Sequence, residues 1–352
     1  MRRFWFLLIN EFRLARTVVP VHLIAVLQPT LMYALMTVVL VNPTFDVQIV
    51  TSSTPTETQL IQAMANVKTP AGVHYINPIL IQDDAISGGQ WITVEIRGEQ
   101  AAAVQHYRLI DSNMVKNYRN RLTAAALVLW QEALGERAVR VVERPLFPID
   151  IPYTVFFGMA MLPMTTMLAA ALIGAYTTAQ EFEHDTVREY RLAPTPPTLI
   201  LIARLLRLIL TGWAAAAILT IAVGWISGWW PDSFMTVELI LLPIGIVGGC
   251  LGVMAGLLTQ SSLPSFLLGL ASTFVLWLLG GAFGLVQGFS GAYETVSRLV
   301  PNTHAVQLLF PHYYGRMVGN SGFSIGALIV FSAVMLILTA VTYQRQIVFR
   351  QR

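Results

Sequence analysis

The chain has 352 residues, 55% of them hydrophobic and 12% charged, and its mean hydropathy is +0.62. A soluble domain carries about 25% charged residues, so a wholly water-facing surface is excluded and much of the chain must face lipid. The formal net charge of +3 rests on dispersed arginines and two lysines, Lys68 and Lys116, which excludes the dense basic run that grips nucleic acid.

In chain order, Phe4–Arg16 (FWFLLINEFRLAR) mixes bulky apolar and charged residues at helical spacing. This predicts an amphipathic helix in the cytoplasmic interface, with Trp5 at headgroup depth. A first span follows over Val19–Val41, and the run from Val18 is too long for a signal-peptide core, so the span is expected to stay uncleaved. Pro29 is tolerable inside it, and His22 and Gln28 suit interhelical hydrogen bonds or the interface. Residues 42–150 carry more charge and form an insert. Asp46–Val50, Val73–Ile81, Trp91–Ile96 and, more weakly, Val139–Glu143 read as strands. Glu57–Val67 and Asp111–Arg137 read as helices. That mix predicts a small α/β domain.

Five further apolar stretches are Pro152–Thr178, Thr198–Trp225, Val237–Leu258, Leu263–Val286 and Ile325–Tyr343. Within residues 287–322, two short helices around Tyr293–Leu299 and His304–Phe310 are too short to span, and are expected to dip into or lie on the outer face. Arginines cluster at the N-terminus (Arg2, Arg3, Arg13, Arg16), after the second span (Arg188, Arg191, Arg204, Arg207) and at the C-terminus (Arg345, Arg350, Arg352). The positive-inside rule puts all three in the cytoplasm and the insert outside. The expected fold is an α-helical polytopic membrane protein of the cell membrane. It has about six transmembrane helices, an N-terminal interfacial helix and a small α/β extracytoplasmic domain between the first and second spans. Its divisions are residues 1–41, 42–150 and 151–352.

Several residues have plain structural readings. Arg204, Arg207 and Glu238 sit near span ends, where snorkelling accounts for them. Gly245, Gly248, Gly249, Gly252 and Gly256, and likewise Gly280, Gly281 and Gly284, recur at the spacing of close helix packing, within the chain or between subunits. Met159, Met161, Met164 and Met167 suit packing, and Cys250 is a small packed hydrophobe that can form no intrachain disulfide.

The loop over residues 179–197 carries the functional signal. Its charged stretch, EFEHDTVREYRLAPTPP, holds Glu181, Glu183, Asp185, Arg188, Glu189 and Arg191 between two apolar spans. On one helix Glu181 and Asp185 share a face, as do Asp185 and Arg188 or Glu189, and Pro194, Pro196 and Pro197 end that helix. A short charged rod at the membrane surface is what a cytoplasmic partner grips. Glu181, Glu183, His184 and Asp185 also form a carboxylate–histidine cluster, but without the His-Glu-x-x-His spacing of a metalloenzyme, so no metal site is expected.

This loop resembles the coupling loop in membrane subunits of type-2 ATP-binding-cassette (ABC) permeases. They show Glu-x-Glu-x-x-Thr followed eight residues later by Pro, here Glu181, Glu183, Thr186 and Pro194. The family usually has Gly before the Thr, where this chain has Asp185. The resemblance extends to the interfacial helix, the large first external domain, the short helices before the last span and the segment Leu299–Leu308 (LVPNTHAVQL).

The resemblance implies a subunit that performs no chemistry. Glu181, Glu183, Asp185, Thr186, Arg188, Glu189 and Pro194 then couple it to two cytoplasmic ABC ATPase subunits, which bind ATP and Mg. A phosphate-binding G-x-x-x-x-G-K-[ST] is absent from this sequence, so no cofactor is expected on it. The resemblance further implies a second membrane subunit, identical or homologous, and export. A charge-poor interior suits a lipid-like, drug-like or amphipathic cargo. The alternative is an ATP-independent secondary transporter or channel, which needs ionisable groups in mid-membrane.

Overall fold

The computed structural model describes residues 2–15, 18–40, 45–50, 55–66, 76–81, 91–97, 100–106, 123, 127, 153–192, 195–282, 291–315 and 320–348. The chain divides into two compact units, one of residues 1–38 with 151–352, the other of residues 39–150.

The first unit is helical. It contains α1 (Arg2–Ala15) and α2 (Val19–Leu40). After the insert come α4 (Tyr153–Glu183), α5 (Val187–Leu192), α6 (Pro197–Ser227), α7 (Phe234–Thr259) and α8 (Ser262–Leu279). The unit ends with α9 (Ala292–Ser297), α10 (Pro301–Tyr314) and α11 (Ser321–Val348). Six of these helices, α2, α4, α6, α7, α8 and α11, are long and apolar enough to cross a membrane, which makes the chain a multi-pass membrane protein.

The second unit has α3 (Pro55–Asn66) and four strands, β1 (Phe45–Val50), β2 (Ile76–Ile81), β3 (Trp91–Arg97) and β4 (Gln100–His106). They form one sheet in the order β2-β1-β3-β4. β1 runs parallel to β2 and β3, while β3 and β4 form an antiparallel hairpin that pairs Trp91 with His106. β4 (QAAAVQH) lacks the apolar alternation that marks a strand, and is absent from the sequence reading. Of the helix expected over Asp111–Arg137, Thr123 and Leu127 are described and helical. The strand expected over Val139–Glu143 lies outside the described residues.

α4 is the axis of the bundle. Every residue of its most apolar window is buried, against 17% for α11, and a helix apolar all round belongs inside. It packs most extensively on α7, then on α6 and α8. Small residues set the α4–α7 approach. A Cβ on Gly248 would lie 2.6 Å from the Met167 carbonyl oxygen, and one on Gly256 would lie 2.9 Å from that of Ala175. Both helix backbones therefore touch, and this glycine ladder packs within the chain. Met159, Met161, Met164 and Met167 are all buried.

Two expectations are corrected. The fifth span ends at Leu279 rather than Val286, where Gly280 and Gly281 turn the chain, the latter at φ 94. Of the two placements expected for α10, lying on the outer face is the one that fails. Most of its residues are buried, and Ala305 and Leu308 join Met167, Ile244, Val247 and Leu328 in one apolar cluster. His304 is held there by two contacts. Its Nε2 lies 2.9 Å from the Arg298 carbonyl, and Nδ1 lies 3.4 Å from Ser324 Oγ. On α1, Leu8 and Glu11 point inward while Trp5, Phe6, Ile9 and Phe12 stay exposed, an apolar face suited to the membrane interface.

Candidate coupling site

The charged loop is not one helix. α4 runs through Glu183, the chain turns over His184–Thr186, and α5 begins at Val187. Asp185 causes the break, since its φ of 56 is left-handed. That region disfavours side chains with a Cβ, and Asp is among the residues that tolerate it. Glycine, the family's usual residue, meets the same need. The Thr186 hydroxyl donates to the Glu181 carbonyl at 3.2 Å, closing an otherwise open helix end.

The break separates two groups of predicted residues. Asp185, Arg188 and Glu189 are exposed on the turn and α5. Asp185 and Arg188 form a loose pair at 3.6 Å with both side chains more than two-thirds exposed, a contact of little energetic weight. Glu181 and Glu183 are engaged within the chain. Glu181 and Asp185 therefore do not share a helix face, which corrects the single-rod reading. Pro194 lies outside the described residues.

Glu181 receives both terminal nitrogens of Arg204, Nη1 at 2.8 Å and Nη2 in a shorter contact, and accepts the Tyr190 hydroxyl at 2.7 Å. Arg204 Nη2 also lies 3.4 Å from Glu11 on α1. One turn along α6, Arg207 donates to the Glu11 carbonyl at 3.2 Å and to Thr177 at 3.1 Å, with Nε 3.3 Å from the Glu11 carboxylate. Two acids and two arginines thus neutralise one another. Both arginine side chains are 1% exposed, so neither snorkels. Burial raises the Tyr190 phenol pKa, and the adjacent Glu181 carboxylate adds to the effect.

Glu183 performs a different task. Its carboxylate accepts the Ser262 amide at 2.7 Å and the Ser261 hydroxyl at 3.1 Å, and it also contacts the Ser262 hydroxyl. It caps the N-terminus of α8 from another element, where a negative charge also meets the positive end of the helix dipole. The end of α4 is thereby tied to α6 through Glu181, with Arg204 reaching on to Glu11 of α1, and to α8 through Glu183. A cleft of about 590 Å³ opens beside this network, lined by exposed Asn10, His184 and Glu189 and by buried Arg204 and Arg207. Among the described residues no group of three or more His, Cys, Asp or Glu could hold a metal ion.

Sequence reasoning missed Glu11, Tyr190, Arg204, Arg207 and the Ser261–Ser262 cap. A usable signal was present, because two arginines one turn apart inside an apolar span require acids of matching number. Sequence comparison adds the family. The model of the ABC-2 family transporter proteins matches residues 4–341, nearly the whole chain. The comparison with curated proteins gave no match. With six spanning helices and a match of that extent, the chain belongs to the ABC-2 family as the permease subunit of an ABC transporter.

Proposed function

We propose that the chain is the membrane-spanning subunit of an ATP-driven exporter, coupled through the turn at Asp185. The observation that carries this reading is the anchoring of that turn. Asp185, Arg188 and Glu189 project outward, while Glu181 fastens its base to Arg204 of α6, which also holds Glu11 of α1, and Glu183 fastens it to α8. A force applied to such a turn reaches three other elements without an intervening soft loop. In this reading the exposed side chains, with Thr186 and Pro194, meet the ATPase, and Glu181 and Glu183 transmit the displacement.

The remaining parts follow from the same reading. The turn, both termini and α1 lie on the cytoplasmic side, and residues 39–150 form an extracytoplasmic α/β domain. Two such membrane subunits, identical or homologous, assemble with two cytoplasmic ATPase subunits that bind ATP and Mg. The cargo is lipid-like, drug-like or amphipathic.

The test is a cross-link. Arg188→Cys should form a disulfide-length link to a cysteine on the co-expressed ATPase subunit, and Glu189→Arg should lower transport-stimulated ATP hydrolysis without loss of the folded permease. Failure of both in a folded complex defeats the docking assignment. One observation favours an ATP-independent transporter instead, namely the burial of Glu238 inside α7. Transport by this chain alone in liposomes without ATP would select that alternative.

A further inference from the structure

The cleft beside Glu11, Glu181, Arg204 and Arg207 measures about 590 Å³, within the range of about 300–1,000 Å³ typical of small-molecule sites. Its wall is drawn from α1, α4, α5, α6 and the turn between α4 and α5. The charges in that wall do not balance. Glu11 and Glu181 offset Arg204 and Arg207, which leaves Glu189 over. Glu189 is exposed, and its side chain has no ion-pair partner among the described residues. Donors stand unused as well. Arg204 reaches the cleft wall with its Nε free of any hydrogen-bond partner among the described residues, and the exposed Asn10 amide adds further N–H groups.

The position of the cleft decides where a ligand would come from. α1 turns Trp5, Phe6, Ile9 and Phe12 outward, as a helix lying in the membrane interface does, and contributes Asn10 and Glu11 to the cleft. α2 begins at Val19, next to Val18, which also lines the cleft. α4 and α6 have 31 residues each, more than the about 20 that cross the hydrocarbon, so their ends reach into the headgroup layer. The cleft thus opens at headgroup depth, beside a helix whose apolar face is turned to lipid.

We propose that this cleft binds the headgroup of a phosphatidylethanolamine lipid. The ammonium meets Glu189, and the phosphodiester turns to Asn10 and the arginine-lined wall. A zwitterion brings no net charge to a wall that already has one acid in excess. An anionic headgroup such as phosphatidylglycerol adds a second negative charge without a counterion. A choline headgroup has no N–H to donate, and the single phenol of the wall, Tyr190, gives its hydroxyl to Glu181 and builds no aromatic cage. A metal ion is disfavoured, since no group of three or more His, Cys, Asp or Glu among the described residues could hold one. Glu189 also belongs to the docking face proposed above, so an effect of the lipid on ATP hydrolysis rests on that reading, whereas binding itself does not.

The experiment uses the full chain in detergent, titrated with dioleoyl phosphatidylethanolamine, phosphatidylcholine or phosphatidylglycerol and read by native mass spectrometry. Phosphatidylethanolamine is expected to fill one site per chain with a preference of about tenfold, the scale of one charge-assisted hydrogen bond. Glu189→Gln, a change at an exposed position, should lower that affinity by about fivefold or more. Asn10→Trp, also at an exposed position, places an indole at the cleft and should block binding. Glu294→Gln removes an acid of α9 that is not part of the cleft and should change nothing. Equal binding of the three lipids or unchanged affinity in Glu189→Gln would overturn the proposal. Full displacement by equimolar glycerophosphoethanolamine would overturn it in favour of a water-soluble ligand. Retention of no lipid at all would also overturn it, and would leave the cleft to a basic side chain of the ATPase subunit. No ATPase enters these measurements, so their failure leaves the coupling assignment standing.

Discussion

Replacing Glu181 by Gln keeps the shape of the side chain and removes the charge that faces Arg204. The arginine is 1% exposed and retains Glu11 at 3.4 Å, whereas the lost partner held it through two nitrogens. Breaking a buried ion pair from one side costs about 3–5 kcal/mol. The surviving Glu11 contact and the 12% exposure of Glu181 place this case near the lower end, about 3 kcal/mol. Arg204→Met should cost a similar amount, since it strands Glu181 with Tyr190. The double variant removes both charges and should recover much of the loss, which gives a coupling energy of about 2 kcal/mol or more. The assay is reversible unfolding in mixed micelles with increasing sodium dodecyl sulfate, followed by circular dichroism. Additivity of the two single effects to within about 0.5 kcal/mol would refute the ion-pair reasoning.

Other outcomes follow from single positions. Asp185→Gly should leave stability unchanged or slightly raised, while Asp185→Val should lower it by about 1 kcal/mol or more because of the left-handed backbone, read by the same unfolding assay. Glu183→Gln should weaken the α8 cap by about 0.5–2 kcal/mol, and Glu183→Arg should uncouple ATP hydrolysis from transport while membrane insertion persists. Gly248→Ala should destabilise by about 1–3 kcal/mol, whereas Gly326→Ala, with nothing within 4 Å of the added carbon, should not. Burial lowers the His304 pKa below 6.5, so the folded state takes up its proton less readily than the unfolded chain. Its contribution is therefore constant above pH 6.5 and turns destabilising as pH falls below that value, a dependence that His304→Gln should remove.

The spanning helices were legible because lipid imposes one requirement, about 20 apolar residues in a row. Val19–Leu40 and Phe234–Thr259 carry that signal with no help from tertiary structure. The depth of each helix was not legible. α4 and α11 are both apolar, and nothing local says that α4 is enclosed while α11 faces outward. The same limit explains α10, whose Asn302, Thr303 and His304 suggest a surface, yet all three are buried. At the loop, acid spacing on an ideal helix placed Glu181 with Asp185. A single positive φ rotated them apart and sent Glu181 to Arg204 on α6, 23 residues away in sequence, which in turn reaches Glu11 on α1.

The backbone contact between α4 and α7 restricts how the bundle can deform. Where side chains separate two helices, they can change rotamer and let one helix ratchet past the other. At Gly248 and Gly256 carbonyl oxygens come within 2.6 and 2.9 Å of where a methyl group would stand, so an axial slip brings the flanking larger residues into collision with main chain. These two helices therefore travel together as a keel. Changes of access must arise where α2, α8 and α11 meet it, helices whose surfaces are mostly open and whose displacement exchanges one apolar neighbour for another.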